Sequence, residues 1–150
     1  MAAQDTVSML GAVDLFAGLS HRVLKQVAES GHVAKYWAGA AVVSEGDPVA
    51  GFKAFSPEGV EMHVVLAGTV VVRVHGAAVA TLGAGEYFGE LSLIDGGPRT
   101  ADVVAGPDSV TTFALPKWTF DTLLKKHPEV AIPMLRVLCD RLRRAEAAPR

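Results

Sequence analysis

The spacing of apolar and polar positions divides the chain into three parts. From Val13 to Gly31, apolar residues recur every three or four positions, with Ser20 placed to cap a helix and Gly31 to end it. Between about His32 and Pro116, short runs rich in Val and Thr alternate with Gly, Pro, Asp and Ser, which predicts about seven or eight short strands. Helical spacing then returns in two segments. The chain is therefore predicted to be mainly β, a compact roll of strands with helices at both ends.

The composition and the charge exclude several classes of protein. The 150 residues are half hydrophobic and one-fifth charged, so residues 1–150 are predicted to form a single domain. A formal charge of −2 argues against direct binding to nucleic acid. No apolar run approaches the length that crosses a bilayer, and Cys139 is the only cysteine, so neither a membrane span nor an internal disulfide is expected. A cytoplasmic protein is predicted.

The segment from Tyr87 to Ala105, YFGELSLIDGGPRTADVVA, carries the candidate chemistry. Gly89 permits close backbone approach to a ligand, and the amides that open a short helix after it would form a nest of N–H donors for an anion. Arg99 adds a planar fork that matches two oxygens of a phosphate, and Thr100 adds a hydroxyl. Glu90 cannot favour an anion, so it is expected to accept from hydroxyls beside the phosphate, such as a ribose 2′-OH. Together these residues predict a site for a small phosphorylated sugar.

The run FGELSLIDGGPRTA, at Phe88–Ala101, resembles the phosphate-binding cassette of the cyclic nucleotide-binding domain family. The resemblance extends over about Asp14–Arg144, nearly the whole chain. Its other parts are DLFAGLS at 14–20, EGDP at 45–48, VVLAGTVVV at 64–72 and LGAGEYFGE at 82–90. It implies a mainly β fold, a double-stranded β-helix or jelly-roll-like β-roll, flanked by an N-terminal helix and two C-terminal helices.

The same resemblance implies a function. The chain looks like a non-enzymatic regulatory domain that binds a 3′,5′-cyclic purine nucleotide, needs no cofactor, and relays occupancy through its C-terminal helices to an unidentified protein partner. Cyclic AMP is favoured over cyclic GMP. Thr100 keeps cyclic GMP open, because a threonine contacts the guanine amino group in some relatives that bind cyclic GMP.

Site residues follow from the resemblance by motif position. Arg99 would pair with the exocyclic phosphate oxygens, and Glu90 would accept from the ribose 2′-OH. The full implied phosphate and ribose site is Gly89, Glu90, Leu91, Ser92, Arg99, Thr100 and Ala101. The implied contacts to the base are Phe88, Leu138, Arg141 and Leu142.

Two features depart from the family pattern. The loop at residues 49–63 is about five residues longer than is usual in the family, which leaves the strand register there open. No DNA-binding, catalytic or transmembrane domain is recognisable in the sequence. The chain is therefore expected to be the sensor half of a switch.

Three alternatives stay open at this point. A β-roll that keeps the cassette without binding nucleotide would serve as a protein-docking module. Glu90 and Arg99 could instead form a structural ion pair that ties a loop to the sheet. A metal-dependent β-roll enzyme would need about three clustered ligands, and no H-x-H or H-x-D pair occurs in the sequence. The histidines are His21, His32, His63, His75 and His127.

The remaining apolar residues give expectations about packing. Trp37, Trp118 and Phe120 are expected in the core, and Cys139 is expected to be a buried small hydrophobe. An apolar stripe on the last helix is expected to pack on its own domain, with a homodimer through that helix as the alternative. The stripe consists of Leu135, Leu138, Leu142 and Ala145.

Overall fold

The computed structural model describes residues 3–43, 61–96 and 100–147. The strands are β1 (His32–Tyr36), β2 (Ala41–Val43), β3 (Glu61–Val74), β4 (Ala77–Leu82), β5 (Tyr87–Phe88) and β6 (Asp102–Pro116). The helices are α1 (Ala3–Gly11), α2 (His21–Ser30), α3 (Glu90–Asp95), α4 (Lys117–Lys126) and α5 (Ala131–Ala147). This arrangement confirms the mainly β fold with helices at both ends. The EGDP turn and most of the long loop lie outside the described residues.

Two long strands, β3 and β6, form the centre of an antiparallel sheet. They pair from Glu61 opposite Pro116 to Arg73 opposite Asp102. β4 pairs with the second half of β3, β1 and β2 pair with β6, and β5 pairs with the first half of β3. The described residues form six strands, and β3 and β6 each join two runs that the sequence pattern separates.

The joints inside β3 and β6 are bulges that face each other. Gly68 has φ of 79° and Ser109 has φ of 66°, and the register between the strands shifts beside Gly68. A Cβ at position 68 would lie 2.2 Å from the carbonyl oxygen of Ser109, so only glycine fits there. The bulges bend both strands together and thereby curve the sheet into a roll.

The sheet separates two apolar clusters. The first lies between the sheet and the helices, and Met62, Val64, Phe113 and Leu115 are its fully buried strand residues. The second lies on the other face and is formed by Val43, Val65, Val70, Leu82, Phe88, Val103, Ala105 and Val110. Alternate residues of β3 and β6 thus contribute to opposite faces, as the period of two in a strand requires.

The N-terminal part confirms one helix and adds another. The Ser20 hydroxyl accepts from the Val23 amide at 3.3 Å and caps α2, as predicted. Gly31 ends α2 with extended backbone, and a Cβ there would lie 2.4 Å from the carbonyl oxygen of Ala114. α1 was not predicted from the sequence, yet its residues Val7 and Leu10 are buried in the first cluster.

Several packing expectations are corrected by the structure. Phe120 is in the core as expected, whereas Trp37 is 73% exposed and Trp118 is 69% exposed. Cys139 is exposed rather than buried. On α5 only Met134 is fully buried, and Leu135 and Leu142 of the apolar stripe are exposed. Three of the four stripe residues are therefore exposed in the described chain and Leu138 is half-buried, and a homodimer through α5 stays a prediction.

Candidate functional site

The cassette begins at the turn between β5 and α3. Two residues of β5, Tyr87 and Phe88, pair with Val64 and His63 of β3, which fixes the start of the turn. Gly89 then takes the left-handed conformation, with φ of 87°, and immediately precedes α3. A side chain is strained at that φ, so glycine is the residue that lets the strand turn directly into the helix.

α3 is short and is anchored by buried side chains. Its first residue, Glu90, is 2% exposed, and Ser92 and Leu93 are equally buried. At its other end Gly96 is again left-handed, with φ of 73°, and its amide donates to the Ser92 carbonyl at 3.0 Å. Glycines at both ends therefore fix where this helix begins and ends.

The buried carboxylate of Glu90 is paired with an arginine from α5. The Arg141 Nη1 donates to Glu90 Oε1 at 2.6 Å, and the Arg141 Nη2 donates to the Tyr87 carbonyl oxygen at 3.0 Å. A buried carboxylate is costly without such a partner. The Arg141 guanidinium thus joins the start of the cassette to the last helix. Its side chain is only half-buried, so solvent reaches this contact.

The pKa of Tyr87 depends on the same two charged groups, Glu90 and Arg141. Burial raises the pKa of Tyr87 to about 12, the Glu90 carboxylate raises it as well, and the Arg141 guanidinium opposes both. The Tyr87 hydroxyl has no hydrogen-bond partner among the described residues. The phenol therefore stays neutral over the whole physiological range of pH.

A second contact joins the cassette to the C-terminal helices. The Lys117 Nζ at the start of α4 donates to the Leu93 carbonyl oxygen in α3 at 3.0 Å. The same ammonium pairs with Asp121 Oδ2 at 3.0 Å. Both α4 and α5 are thus tied to α3 or to the residues beside it.

The roll face beside the cassette is aromatic. The Phe88 ring stacks on the buried His63 ring with centroids 5.1 Å apart, and Tyr36 meets His63 edge-on at 6.1 Å. The His63 Nδ1 lies 3.0 Å from Thr112 Oγ1. Phe88, predicted to touch the base, therefore lies on the face of the sheet opposite to Tyr87.

The structure brings together some of the predicted site residues and leaves others apart. Gly89, Glu90, Ser92 and Arg141 lie together, and Leu91 is on the exposed side of α3. Thr100 and Ala101 directly precede β6, and Arg99 lies outside the described residues. Leu138 is half-buried on α5, and Leu142 is 60% exposed.

The partnership of Glu90 with Arg141 was missed in the sequence. The sequence predicts that Arg141 contacts the base, and it offers Arg99 as the ion-pair partner of Glu90. The two paired residues are 51 positions apart, so no local spacing indicates the contact. The one available signal was an arginine beside an apolar stripe on the last helix.

Two further observations concern metal ions and membranes. Within residues 3–43, 61–96 and 100–147, no three His, Cys, Asp or Glu side chains cluster as metal ligands do. Over the same ranges, no helix combines the length and the apolar character that crossing a membrane requires.

The described residues define a curved antiparallel β-roll in which a short helix begins directly after a left-handed glycine, Gly89. The family model of the cyclic nucleotide-binding domain matches residues 33–127, and the chain belongs to that family. The chain is 34% identical over 116 residues to a cAMP-dependent protein kinase regulatory subunit of Debaryomyces hansenii, covering 77% of this chain and 24% of that protein. It is 27% identical over 129 residues to a cGMP-dependent protein kinase of Toxoplasma gondii, covering 86% of this chain and 11% of that protein.

A solved structure agrees with this membership. The catabolite activator protein of Thermus thermophilus superposes with a TM-score of 0.71 at 31% identity, over 88% of this chain and 59% of that chain. The chain thus spans a quarter or less of the two curated relatives and somewhat more than half of the solved one. The β-roll predicted from the resemblance is confirmed by this structural neighbour.

Proposed function

We propose that this domain is a non-enzymatic regulatory receptor for a 3′,5′-cyclic purine nucleotide, with cyclic AMP preferred to cyclic GMP. One observation carries the proposal: Gly89 turns β5 into α3 so that a buried carboxylate, Glu90, stands at the first position of the helix and is already neutralised from α5. The backbone amides at this turn suit an anion, whereas the buried Glu90 carboxylate suits a hydrogen-bond donor. Together they favour a ligand that carries hydroxyl groups beside its phosphate.

Each residue of the cassette has a distinct role in this proposal. The phosphate lies against the amides that follow Gly89 and pairs with Arg99, whose planar fork serves two oxygens. The ribose 2′-OH donates to the Glu90 carboxylate, which has a second oxygen beside the one that Arg141 holds. The base lies over the roll face that contains Phe88, with Leu138 as the half-buried candidate for contact from α5.

The ion pair of Arg141 with Glu90 supports a relay through the C-terminal helices. Nucleotide binding changes the hydrogen-bond partners of Glu90, and Glu90 is paired with Arg141 of α5. Lys117 joins α3 to α4. A nucleotide that binds one arrangement of these contacts better than another shifts the population of α5 positions. The recipient of the shift is a protein partner that recognises the moved helices.

Calorimetric titration of cyclic AMP and cyclic GMP into the purified chain tests the receptor. We expect one saturable site, and Arg99→Ala should weaken binding by about 10- to 100-fold because it leaves the phosphate unpaired. Arg143→Ala, an exposed arginine on α5 outside the cassette, is the matched control and should bind as the unchanged chain does. Equal affinity in Arg99→Ala would overturn the site, and no binding of either nucleotide would favour the docking module.

The choice of base and the relay need separate measurements. Thr100→Ala should weaken cyclic GMP and spare cyclic AMP if the hydroxyl meets the guanine amino group. Amide hydrogen exchange of α5 should change on saturation with cyclic AMP, whereas exchange in the β3 and β6 pair should not. Unchanged exchange in α4 and α5 at saturation would remove the relay and leave the receptor in place.

A further inference from the structure

A cavity separates α5 from the N-terminal part of the domain. Its volume is about 460 Å³, and it lies between α5, the 3-10 turn at Asp14–Phe16 and the turn that leads into β5. None of the residues from Gly89 to Ser92 lines it, and Tyr87 lines it from the helical face of the sheet. The cavity is therefore distinct from the cassette, although Arg141 borders both.

The charges around this cavity are divided between its walls. α5 contributes two cations, Arg136 and Arg141, whereas the other elements contribute two carboxylates, Asp14 and Glu86. A ligand with a single charge would match one wall and leave the other wall without a partner. A ligand that carries both signs on one small scaffold satisfies both.

These charged groups are available to a ligand. The side chains of Arg136 and Asp14 make no ion pair or hydrogen bond with any described residue, and they do not bridge the cavity to each other. Glu86 uses one oxygen to accept from the Gly83 amide at 3.1 Å. Arg141 donates once to Glu90 and once to the Tyr87 carbonyl, so the rest of its five N–H donors are unused there.

The remaining residues that line the cavity are mainly apolar, and the cavity is large enough for a small molecule. Leu15 and Val137 contribute aliphatic surface, and the Tyr87 ring contributes an aromatic wall. The volume lies within the range of about 300–1,000 Å³ that is typical of small-molecule sites. We propose that this cavity binds a small zwitterion of the α-amino-acid class, with its carboxylate on Arg136 and Arg141, its ammonium on Asp14 and Glu86, and an apolar side chain against Leu15 and Val137.

The proposal goes beyond nucleotide binding and is measured without nucleotide. The probe is L-leucine, titrated into the unliganded, ¹⁵N-labelled chain while amide shifts are followed. The amides of Asp14, Gly85 and Val137 should shift and saturate below about 20 mM, which is the weak range for a ligand of this size. N-acetyl-L-leucine lacks the ammonium and L-leucinamide lacks the carboxylate, so each should bind at least about tenfold more weakly.

Two variants separate the cavity from a general effect of charge. Arg136→Gln should abolish the shifts, whereas Arg143→Gln, which changes another exposed arginine of α5 outside the cavity, should retain them. Arg99→Ala should also retain them, so failure of the receptor and failure of this site are distinguishable. Binding of N-acetyl-L-leucine as strong as that of L-leucine would overturn the zwitterion. Absence of saturable shifts with L-leucine, L-phenylalanine and L-glutamine would overturn the site itself.

Discussion

The β3 and β6 pair and the helix α5 both border the cassette, but they are held very differently. Along the strand pair, Val64, Val65, Phe113 and Ala114 are all completely buried. Across the 17 residues of α5, only Met134 is fully buried. Near the cassette, α5 is held by the ion pair of Arg141 with Glu90. Elements that bury little apolar surface are those that open or shift at small cost in free energy. The comparison indicates a rigid frame that carries the cassette and a lightly held helix beside it.

The largest expected effect is in the frame. Phe113→Ala should lower the free energy of unfolding by about 3–5 kcal/mol, because it removes a fully buried ring from the centre of the first cluster and leaves a cavity. Urea unfolding followed by circular dichroism measures the change, with Trp118→Ala as the control for loss of an exposed aromatic ring. A loss below about 1 kcal/mol would mean that the frame is not close-packed around Phe113.

A pH profile tests the boundary between the two regions, where Tyr87 lies. Burial raises the pKa of Tyr87 from 10.0 to about 12, so the folded chain keeps the proton that the unfolded chain loses. The stabilisation is therefore complete below pH 10 and should be lost between pH 10 and 12, by about 2–3 kcal/mol in total. Urea midpoints over this range measure it, and Tyr87→Phe should remove this part of the pH dependence. An identical profile in Tyr87→Phe would contradict the assignment.

The ion pair that holds α5 gives a smaller effect. Arg141→Ala leaves Glu90 buried without its cation, and we expect a loss of about 1–2 kcal/mol, discounted because Arg141 is half-exposed. Arg144→Ala is the matched control, since it removes an exposed arginine paired with Asp140 at 3.2 Å on the same helix. That control should cost less than about 0.5 kcal/mol. Equal losses in the two variants would show that Glu90 does not depend on Arg141.

The frame was largely predictable from the sequence, but the continuity of its two long strands was not. Runs of Val and Thr marked β1, β2, β4 and both halves of β3 and β6. The sequence pattern divides β3 after Gly68 and β6 at residues 106–108 because a bulge and a turn use the same residue types, and only the partner strand decides between them. α1 was missed because its buried residues are too few to form a stripe that a pattern reveals.

The arrangement of the candidate site was predictable only where it is local in sequence. The spacing of the cassette placed Gly89 and Glu90, whereas the contact of Glu90 with Arg141 spans 51 positions and depends on how α5 crosses the roll. The exposure of Trp37 shows the same limit. Hydropathy placed it in the core, but its side chain is 73% exposed and its ring centroid lies 4.9 Å from the Lys35 Nζ.

The smallest expected effect is at the exposed stripe of α5. Leu142 is 60% exposed in the chain by itself, so Leu142→Ala should change the free energy of unfolding by less than about 0.5 kcal/mol. Unfolding at several protein concentrations makes the result decisive, because a dimer is stabilised by mass action and a monomer is not. If the unfolding midpoint rises with concentration and Leu142→Ala abolishes that rise, a second copy covers the stripe. In that case α5 is held from outside the domain, and the contrast with the strand pair applies to the monomer alone.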